Sequence, residues 1–409
     1  MYAGVVWAAF VATYVVMATG RLPGLRIDRT GMAVLAAAGV VLLTEMEGTH
    51  LAWLEFIEWP VLIGLFSLML LGACFESAGG FERLASVLLR VGCNPGRLLL
   101  AVVVLAGGLS VVLVNDIVVY ALVPVLCMVC KSLGYRPVAH LLALAFSANA
   151  GSAASTVGNP QNILIAEIGD LSFASHFVYA ALPSVMALFI IYAVLAFVFR
   201  EDFRAMQGAQ PCKVDASTRA SNGGAMWASS LSIALVIIAY LVKPAQGYLF
   251  ALGIAVLILA LSPKPSVEII KKLDIPLLMM IAALFVVTGA FANLPAVGTS
   301  VHWAASSGFL PSNSVNTLGF SVLASNTIGN VPAVMLLLEV AGDLPANVLH
   351  GLALFSTLSG NLLLTGSLAN IIVAERSAAL GIRLGFVEFL KVGVPITVAS
   401  LAFALAWVY

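Results

Sequence analysis

An all-α polytopic membrane protein is the fold class this sequence predicts, laid out as an inverted repeat of five transmembrane helices plus one re-entrant hairpin in each half. Three observations predict it. Of 409 residues, 62% are hydrophobic and only 9% are charged, with a mean hydropathy of +1.08, more apolar surface than a soluble chain of this size can hide. Several apolar runs reach the roughly 20 residues that cross a bilayer as helix. Matched Asn, Gly and Pro residues also recur at nearly constant offsets between the two halves.

The elements follow in order. The apolar run 2–20 has no basic leader and no small-residue cleavage site, so it reads as a retained first helix. Helices are expected at 31–45 and 59–76, then a long apolar stretch at 98–130. A broken helix spans about 138–168, interrupted near 149–160, and a helix at 173–199 closes the first repeat, residues 1–199. The polar segment 200–225 is expected to be a cytoplasmic linker. The second repeat, 226–409, reads as helices at 226–242, 246–262 and 274–293, a stretch at 314–339, a broken helix at 348–375 and a last helix at 386–409.

The stretches 98–130 and 314–339 are read as the hairpins. Split at its central Asn, the first gives arms Leu98–Val114 and Ile117–Cys130, about 25 and 21 Å long at 1.5 Å per residue and short of a roughly 30 Å core. Such a tip is tolerated where protein or a water-filled cavity satisfies its backbone. With both termini outside and each hairpin returning to its own face, every Lys and Arg except Lys243 falls on the cytoplasmic side, as the positive-inside rule requires. The repeat itself is carried by Trp59-Pro60 and Phe75 against Ile275-Pro276 and Phe291, by Asn115 against Asn330, and by Gly158, Asn162, Ala166 and Glu167 against Gly366, Asn370, Ala374 and Glu375. An odd number of crossings per half turns the second half upside down, the usual construction of a secondary transporter with its site near the midplane.

The candidate site is a polar constellation inside this apolar frame. Asp116, beside Asn115, is an acid in an otherwise uncharged stretch, where it costs roughly 2.5–3.5 kcal/mol on insertion scales. It is assigned to proton or ion coupling. The substrate-binding candidates are Asn115 on the first hairpin, Asn149, Ser152, Thr156, Asn159 and Asn162 on the first broken helix, Ser325, Asn326 and Asn330 on the second hairpin, and Asn361, Ser367 and Asn370 on the second broken helix. Gly and Pro interrupt the helical ladder at these places and free backbone carbonyls and amides.

Val114-Asn115-Asp116, Gly158-Asn159-Pro160-Gln161-Asn162, Ser325-Asn326 through Asn330-Val331-Pro332, and Gly366-Ser367-Leu368-Ala369-Asn370 resemble the ion transporter superfamily, and within it the arsenical pump (ArsB) and NhaD-like permease branch. The resemblance implies an elevator-type transporter with scaffold and transport domains, a homodimer, residence in a bacterial inner membrane, and export of arsenite or antimonite against protons, with an external ATPase subunit as a conceivable partner. Relatives that carry carboxylates with sodium have Ser-Asn-Thr on both hairpins. Here the second hairpin has Ser325-Asn326-Thr327 but the first reads Leu113-Val114-Asn115-Asp116. A sodium- or proton-coupled carboxylate or inorganic anion transporter, or a sodium/proton antiporter, remains the alternative.

Other signals are weaker. Cys127 and Cys130 lie one helical turn apart on an apolar arm, too few thiols for a metal site. The five histidines (50, 140, 176, 302 and 350) fall at expected helix ends or loops and read as interfacial, and Glu76 and Glu82 are expected to face headgroups or water. A zero net charge favours no nucleic acid. The sequence carries no phosphate-binding loop, no His-Glu-x-x-His motif and no Gly-x-Ser-Gly segment. No cofactor and no enzymatic role are therefore expected.

Overall fold

The computed structural model describes residues 2–20, 27–46, 53–207, 223–243, 246–262, 264–299, 307, 310–342 and 344–408. Their regular structure is helical. The first half comprises α1 (Tyr2–Thr19), α2 (Arg29–Met46), α3 (Trp59–Ser77), α4 (Gly80–Val91), α5 (Pro95–Val112), α6 (Asn115–Ser132), α7 (Val138–Ser152), α8 (Pro160–Ile168), α9 (Phe173–Val198) and α10 (Arg200–Gln207). The second comprises α11 (Gly223–Val242), α12 (Gly247–Ala260), α13 (Ser266–Ile270), α14 (Ile275–Ala292), α15 (Ser314–Thr327), α16 (Asn330–Ala341), α17 (Ala346–Ser359), α18 (Leu368–Ala379) and α19 (Phe386–Val408). Among the described residues, seven helices are long and apolar enough to cross a membrane: α1, α3, α5, α6, α9, α14 and α19.

Local chemistry sets the boundaries. α3, α5, α8 and α14 each open with Pro in the first turn, where its missing N–H is no loss. Asn94 caps α5 by accepting from the amides of Gly96 and Arg97, and Asp274 caps α14 through the Leu277 amide. α5 breaks at Leu113–Val114 before α6 begins at Asn115. Ile328 and Gly329, the latter at φ 95°, separate α15 from α16.

Packing between the halves is reciprocal. α2 lies on α14 and α12 on α3; α6 lies on α18 and α16 on α8; within each half α5 packs on α7 and α15 on α17. Two apolar cores result. One gathers α1–α3, α8, α11, α12, α14, α16 and the first part of α17, and the other gathers α4–α7, α9, α10, the rest of α17, α18 and α19. Each core draws on both halves of the chain, so the packing units are not the sequence halves.

Several expectations are corrected. The arms of the first hairpin are longer than the apolar run suggested, with 18 residues each in α5 and α6, about 27 Å at 1.5 Å per residue. Part of the polar linker is helix, α10. The amphipathic α4 was not foreseen; it buries Phe81, Ala85 and Leu88. His140 and His176 are fully buried, not interfacial. Glu76 remains partly exposed but is also paired with Lys272 at 2.8 Å, a contact the sequence did not suggest. His50, His302, Arg21, Arg26, Lys213, Arg219 and Cys212 lie outside the described residues.

Candidate transport site

The two broken helices unwind in the same way. In the first, Ala154 and Ser155 bond back three residues to the carbonyls of Gly151 and Ser152, and Asn159 is extended (φ −152°, ψ 141°) before Pro160 starts α8. In the second, Asn361 and Leu362 bond back to Leu358 and Ser359, and Ser367 is extended (φ −142°, ψ 143°) before α18. Small residues let the hairpins reach these breaks. A Cβ on Gly151 would collide with the Gly107 carbonyl, and one on Gly158 with the Ser110 carbonyl. The Asn115 amide donates to the Gly158 carbonyl at 2.9 Å. On the other side, Asn326 accepts from the Leu363 amide at 3.2 Å and donates to the Ser359 carbonyl at 3.0 Å. Each hairpin tip is thus bound to the break that follows it in the chain.

Asn149 joins the halves. Its Oδ1 accepts from Asn115 Nδ2 and Ser367 Oγ, both at 3.0 Å. Its Nδ2 donates to Asn361 Oδ1 at 2.9 Å and Asn370 Oδ1 at 3.1 Å. All four hydrogen-bonding positions of the amide are used, at 0% exposure. A parallel contact runs from Gln161 Nε2 to Thr357 Oγ1 at 3.0 Å, and Thr357 Oγ1 donates to Asn162 Oδ1 at 3.2 Å. Around this crossing several buried acceptors and hydroxyls have no protein partner: Asn115 Oδ1, Gln161 Oε1, and the hydroxyls of Ser110, Ser147 and Ser155. Native proteins leave few such groups unsatisfied.

The structure therefore brings together Asn115, Asn149, Asn361, Ser367 and Asn370 directly, with Ser152, Asn159 and Asn162 on the same break: Ser152 Oγ donates to the Asn149 carbonyl, and Asn162 Nδ2 donates to the carbonyls of Ser152 and Ser155. Ser325 is buried nearby in sequence on α15 but makes no hydrogen bond. Asn326 clamps the second break, and Thr156 and Asn330 instead line cavities.

A cavity of about 210 Å³ opens beside the first tip and is lined by Val114, Asp116, Ile117 and Tyr120, with Glu76 from the end of α3, Lys271, Lys272 and Asp274 from the turn before α14, and Pro276 and Leu277 from its first turn. Asp116 is 6% exposed. A second cavity, about 140 Å³, shares Asp274, Pro276 and Leu277 and reaches Gly329, Asn330 and Pro332 of the second tip, Thr365 of the second break, and Arg29. The late part of α3 and the first turn of α14 line the same cavity, so these helices run antiparallel. Arg29 and Asp274 were missed by sequence reasoning. Asp274 stood in view: it precedes Ile275-Pro276 as Glu58 precedes Trp59-Pro60.

The inner membrane protein YbiR of Escherichia coli is 30% identical over 78% of this chain and 80% of its own. A provisionally named arsB transporter of Dictyostelium discoideum is 25% identical over 95% of this chain and 88% of its own. The crystal structure of the Alcanivorax borkumensis YdaH transporter, described as having an unusual topology, superposes with a TM-score of 0.53 at 14% identity, covering 100% of this chain and 96% of that one, a likeness of fold alone. The protein is an integral, multi-pass secondary transporter and not an enzyme. With the sequence model of the citrate transporter family, CitMHS, matching residues 13–347, the chain belongs to that family of the ion transporter superfamily.

Proposed function

We propose that this transporter exports arsenite or antimonite by proton antiport, with Asp116 as the proton carrier and the unpartnered polar groups around the asparagine crossing as substrate contacts. The observation that carries the reading is the position of Asp116, a buried acid in an apolar helix, on the wall of a cavity and adjacent in sequence to Asn115, which ties the first tip to the first break and to Asn149. A neutral arsenic hydroxide requires donors and acceptors, not a counter-charge. The unpartnered Asn115 Oδ1, Gln161 Oε1 and serine hydroxyls supply them. A cavity of about 210 Å³ suits a small solute, and the arsB name of the Dictyostelium relative supports the same substrate.

The two halves act as an inverted repeat, with the second cavity and its Lys-rich neighbour facing the cytoplasm and both termini outside. The reciprocal packing and the antiparallel α3 and α14 support this arrangement. The breaks and tips then move as a transport domain in an elevator-type cycle. The test is arsenite-driven proton flux in proteoliposomes under an imposed pH gradient. Wild-type protein should move protons with substrate, and Asp116→Asn should abolish that flux; unchanged flux in the variant would reject the carrier role.

A second reading has one observation in its favour. Arg29 lies on the cavity beside Asn330 and Thr365, where a guanidinium could hold a carboxylate or inorganic anion, and this fits the printed description of the family as citrate transporters. Uptake of citrate and other anions into everted vesicles, against arsenite in the same preparation, separates the two.

A further inference from the structure

A third cavity, about 200 Å³, is lined by Pro60, Thr156, Ala166, Glu167, Asp170, Leu171, Phe173, Tyr240 and Tyr248. It lies at the opposite end of α3 from the cavity holding Asp116. Pro60 and Glu76 are sixteen residues apart on that helix, about 24 Å at 1.5 Å per residue. The third cavity and the Arg29 cavity are also built from matching parts of the two halves. One uses the last turn of α11, the first turn of α12 and Pro60 beside the first break; the other uses the end of α1, the first turn of α2 and Pro276 beside the second break. Their charges differ. The second cavity presents Arg29 balanced by Asp274, whereas the third presents Glu167 and Asp170 and no Lys or Arg.

Two further observations bear on what the third cavity takes. Tyr240 is 5% exposed and its hydroxyl has no hydrogen-bond partner, although it borders the same space as the two carboxylates. Thr156, in the first break, places a second hydroxyl at the inner wall. Glu58, which precedes Trp59 at the start of α3, and Asp170 both act electrostatically on Glu167, and Tyr248 is the remaining titratable group on the wall. Asp170 holds a left-handed backbone (φ 49°), a conformation Asp tolerates better than most residues. Carboxylate and hydroxyl oxygens are hard donors suited to hard cations.

We propose that Glu167, Asp170, Tyr240 and Thr156 form an entry site for a monovalent cation, sodium or hydronium, on the face opposite the Arg29 cavity, from which the coupling ion approaches the first break. The inference rests on the transporter reading above, but its test requires no transport. In a background with the native cysteines replaced by serine, Ala166→Cys and, should that variant fail to fold, Tyr248→Cys are labelled from the outer face of right-side-out vesicles. One methanethiosulfonate reagent carries a trimethylammonium and the other a sulfonate. The cationic reagent should react about tenfold faster, the lower range of field focusing in a charged cleft, and the preference should vanish in Glu167→Gln with Asp170→Asn. Sodium replacing choline at fixed pH should slow the cationic reagent if sodium is the ion; a fall on acidification alone in the ratio of cationic to anionic rates, which cancels the shared loss of reactive thiolate, identifies the proton. Tyr240→Phe should remove this protection while leaving the reagent preference. Equal rates for the two reagents, a preference that survives loss of both acids, or labelling from the inner face alone would overturn the proposal. Failure of arsenite transport would count against the substrate reading and leave these rates unaffected.

Discussion

Asn162 and Asn370 make the same pair of hydrogen bonds in the two halves of the chain. Each side-chain amide donates to the carbonyls ten and seven residues upstream: Ser152 and Ser155 for Asn162, at 3.2 and 2.9 Å, and Gly360 and Leu363 for Asn370, at 2.8 and 3.3 Å. Each asparagine therefore straples its own broken helix across the break, satisfying carbonyls that the interrupted ladder cannot reach. The repeat seen as matched letters in sequence is here a matched set of bonds.

Removing either clamp leaves buried carbonyls unpaired, at about 1–3 kcal/mol each in desolvation. Asn162→Ala and Asn370→Ala should each lower the thermal midpoint of the protein in detergent by several degrees and reduce transport. Asn→Asp at either position should behave like Ala, because a carboxylate cannot donate to a carbonyl. A melt in which the Asp variant matches wild type at a pH where the introduced acid is ionised would mean that the amide is not acting as donor.

Asn149 is the more demanding position. Its four bonds reach the first tip and three points of the second repeat's break region, so its loss uncouples the halves as well as one helix. Asn149→Ala should cost more stability than either clamp variant, and Asn149→Ala combined with Asn370→Ala should cost less than the sum, since the two share a bond. A double-mutant cycle on thermal midpoints measures that shortfall. Strict additivity would place the two amides in independent networks.

Backbone proximity gives a steric prediction with its own control. Gly151 faces the Gly107 carbonyl across the α5–α7 contact, with no room for a methyl group, whereas Gly108 has nothing within 4 Å of an added Cβ. Gly151→Ala should force the first hairpin away from the first broken helix and lower both expression of folded protein and the thermal midpoint. Gly108→Ala should leave both unchanged or slightly improved, since Ala is favoured over Gly within a helix by about 1 kcal/mol. Size-exclusion profiles and melts of the two variants in parallel read the difference.

Much of this architecture was legible in the sequence because membrane helices announce themselves by apolar length and because Asn, Gly and Pro are conspicuous in such runs. The break at 153–159 and the tip at 113–114 fell where Gly158, Asn159-Pro160 and Asn115-Asp116 pointed. The first arm reads short in sequence because Asn94 and Arg97 interrupt the apolar run, and the second because Asn115 and Asp116 look like part of the tip when they are the first turn of α6. Asn94-Pro95 is in fact a cap followed by a first-turn proline, a start signal. α4 escaped because its apolar residues Phe81, Ala85 and Leu88 occupy one face among Glu82, Arg83 and Arg90, a periodic pattern and not a run. The contact of His176 with His350 (3.3 Å between Nδ1 atoms, across the two halves) and the meeting of Arg29 with the second tip depend on how distant helices pack. No local pattern encodes them.

Arg29 decides between substrate classes. Its Nε donates to the Met17 carbonyl at 3.0 Å, which orients the guanidinium at the edge of the cavity that contains Gly329, Asn330 and Thr365. If the cargo is a carboxylate or inorganic anion, the cation is part of its recognition, and a charge-assisted bond of this kind contributes about 1.5–3 kcal/mol. Arg29→Gln keeps a donor for the Met17 carbonyl but removes the charge, so anion transport should then fall roughly 10- to 150-fold in apparent affinity, since 1.4 kcal/mol is about tenfold. If the cargo is a neutral arsenic hydroxide, the same variant should lose only about 2- to 12-fold, because uncharged hydroxyls lose at most one ordinary hydrogen bond of about 0.5–1.5 kcal/mol. Concentration-dependent uptake of arsenite and of citrate into everted vesicles, with wild type and Arg29→Gln side by side, gives the ratio directly. A large loss for arsenite with none for citrate fits neither assignment and would remove Arg29 from the substrate path as drawn here.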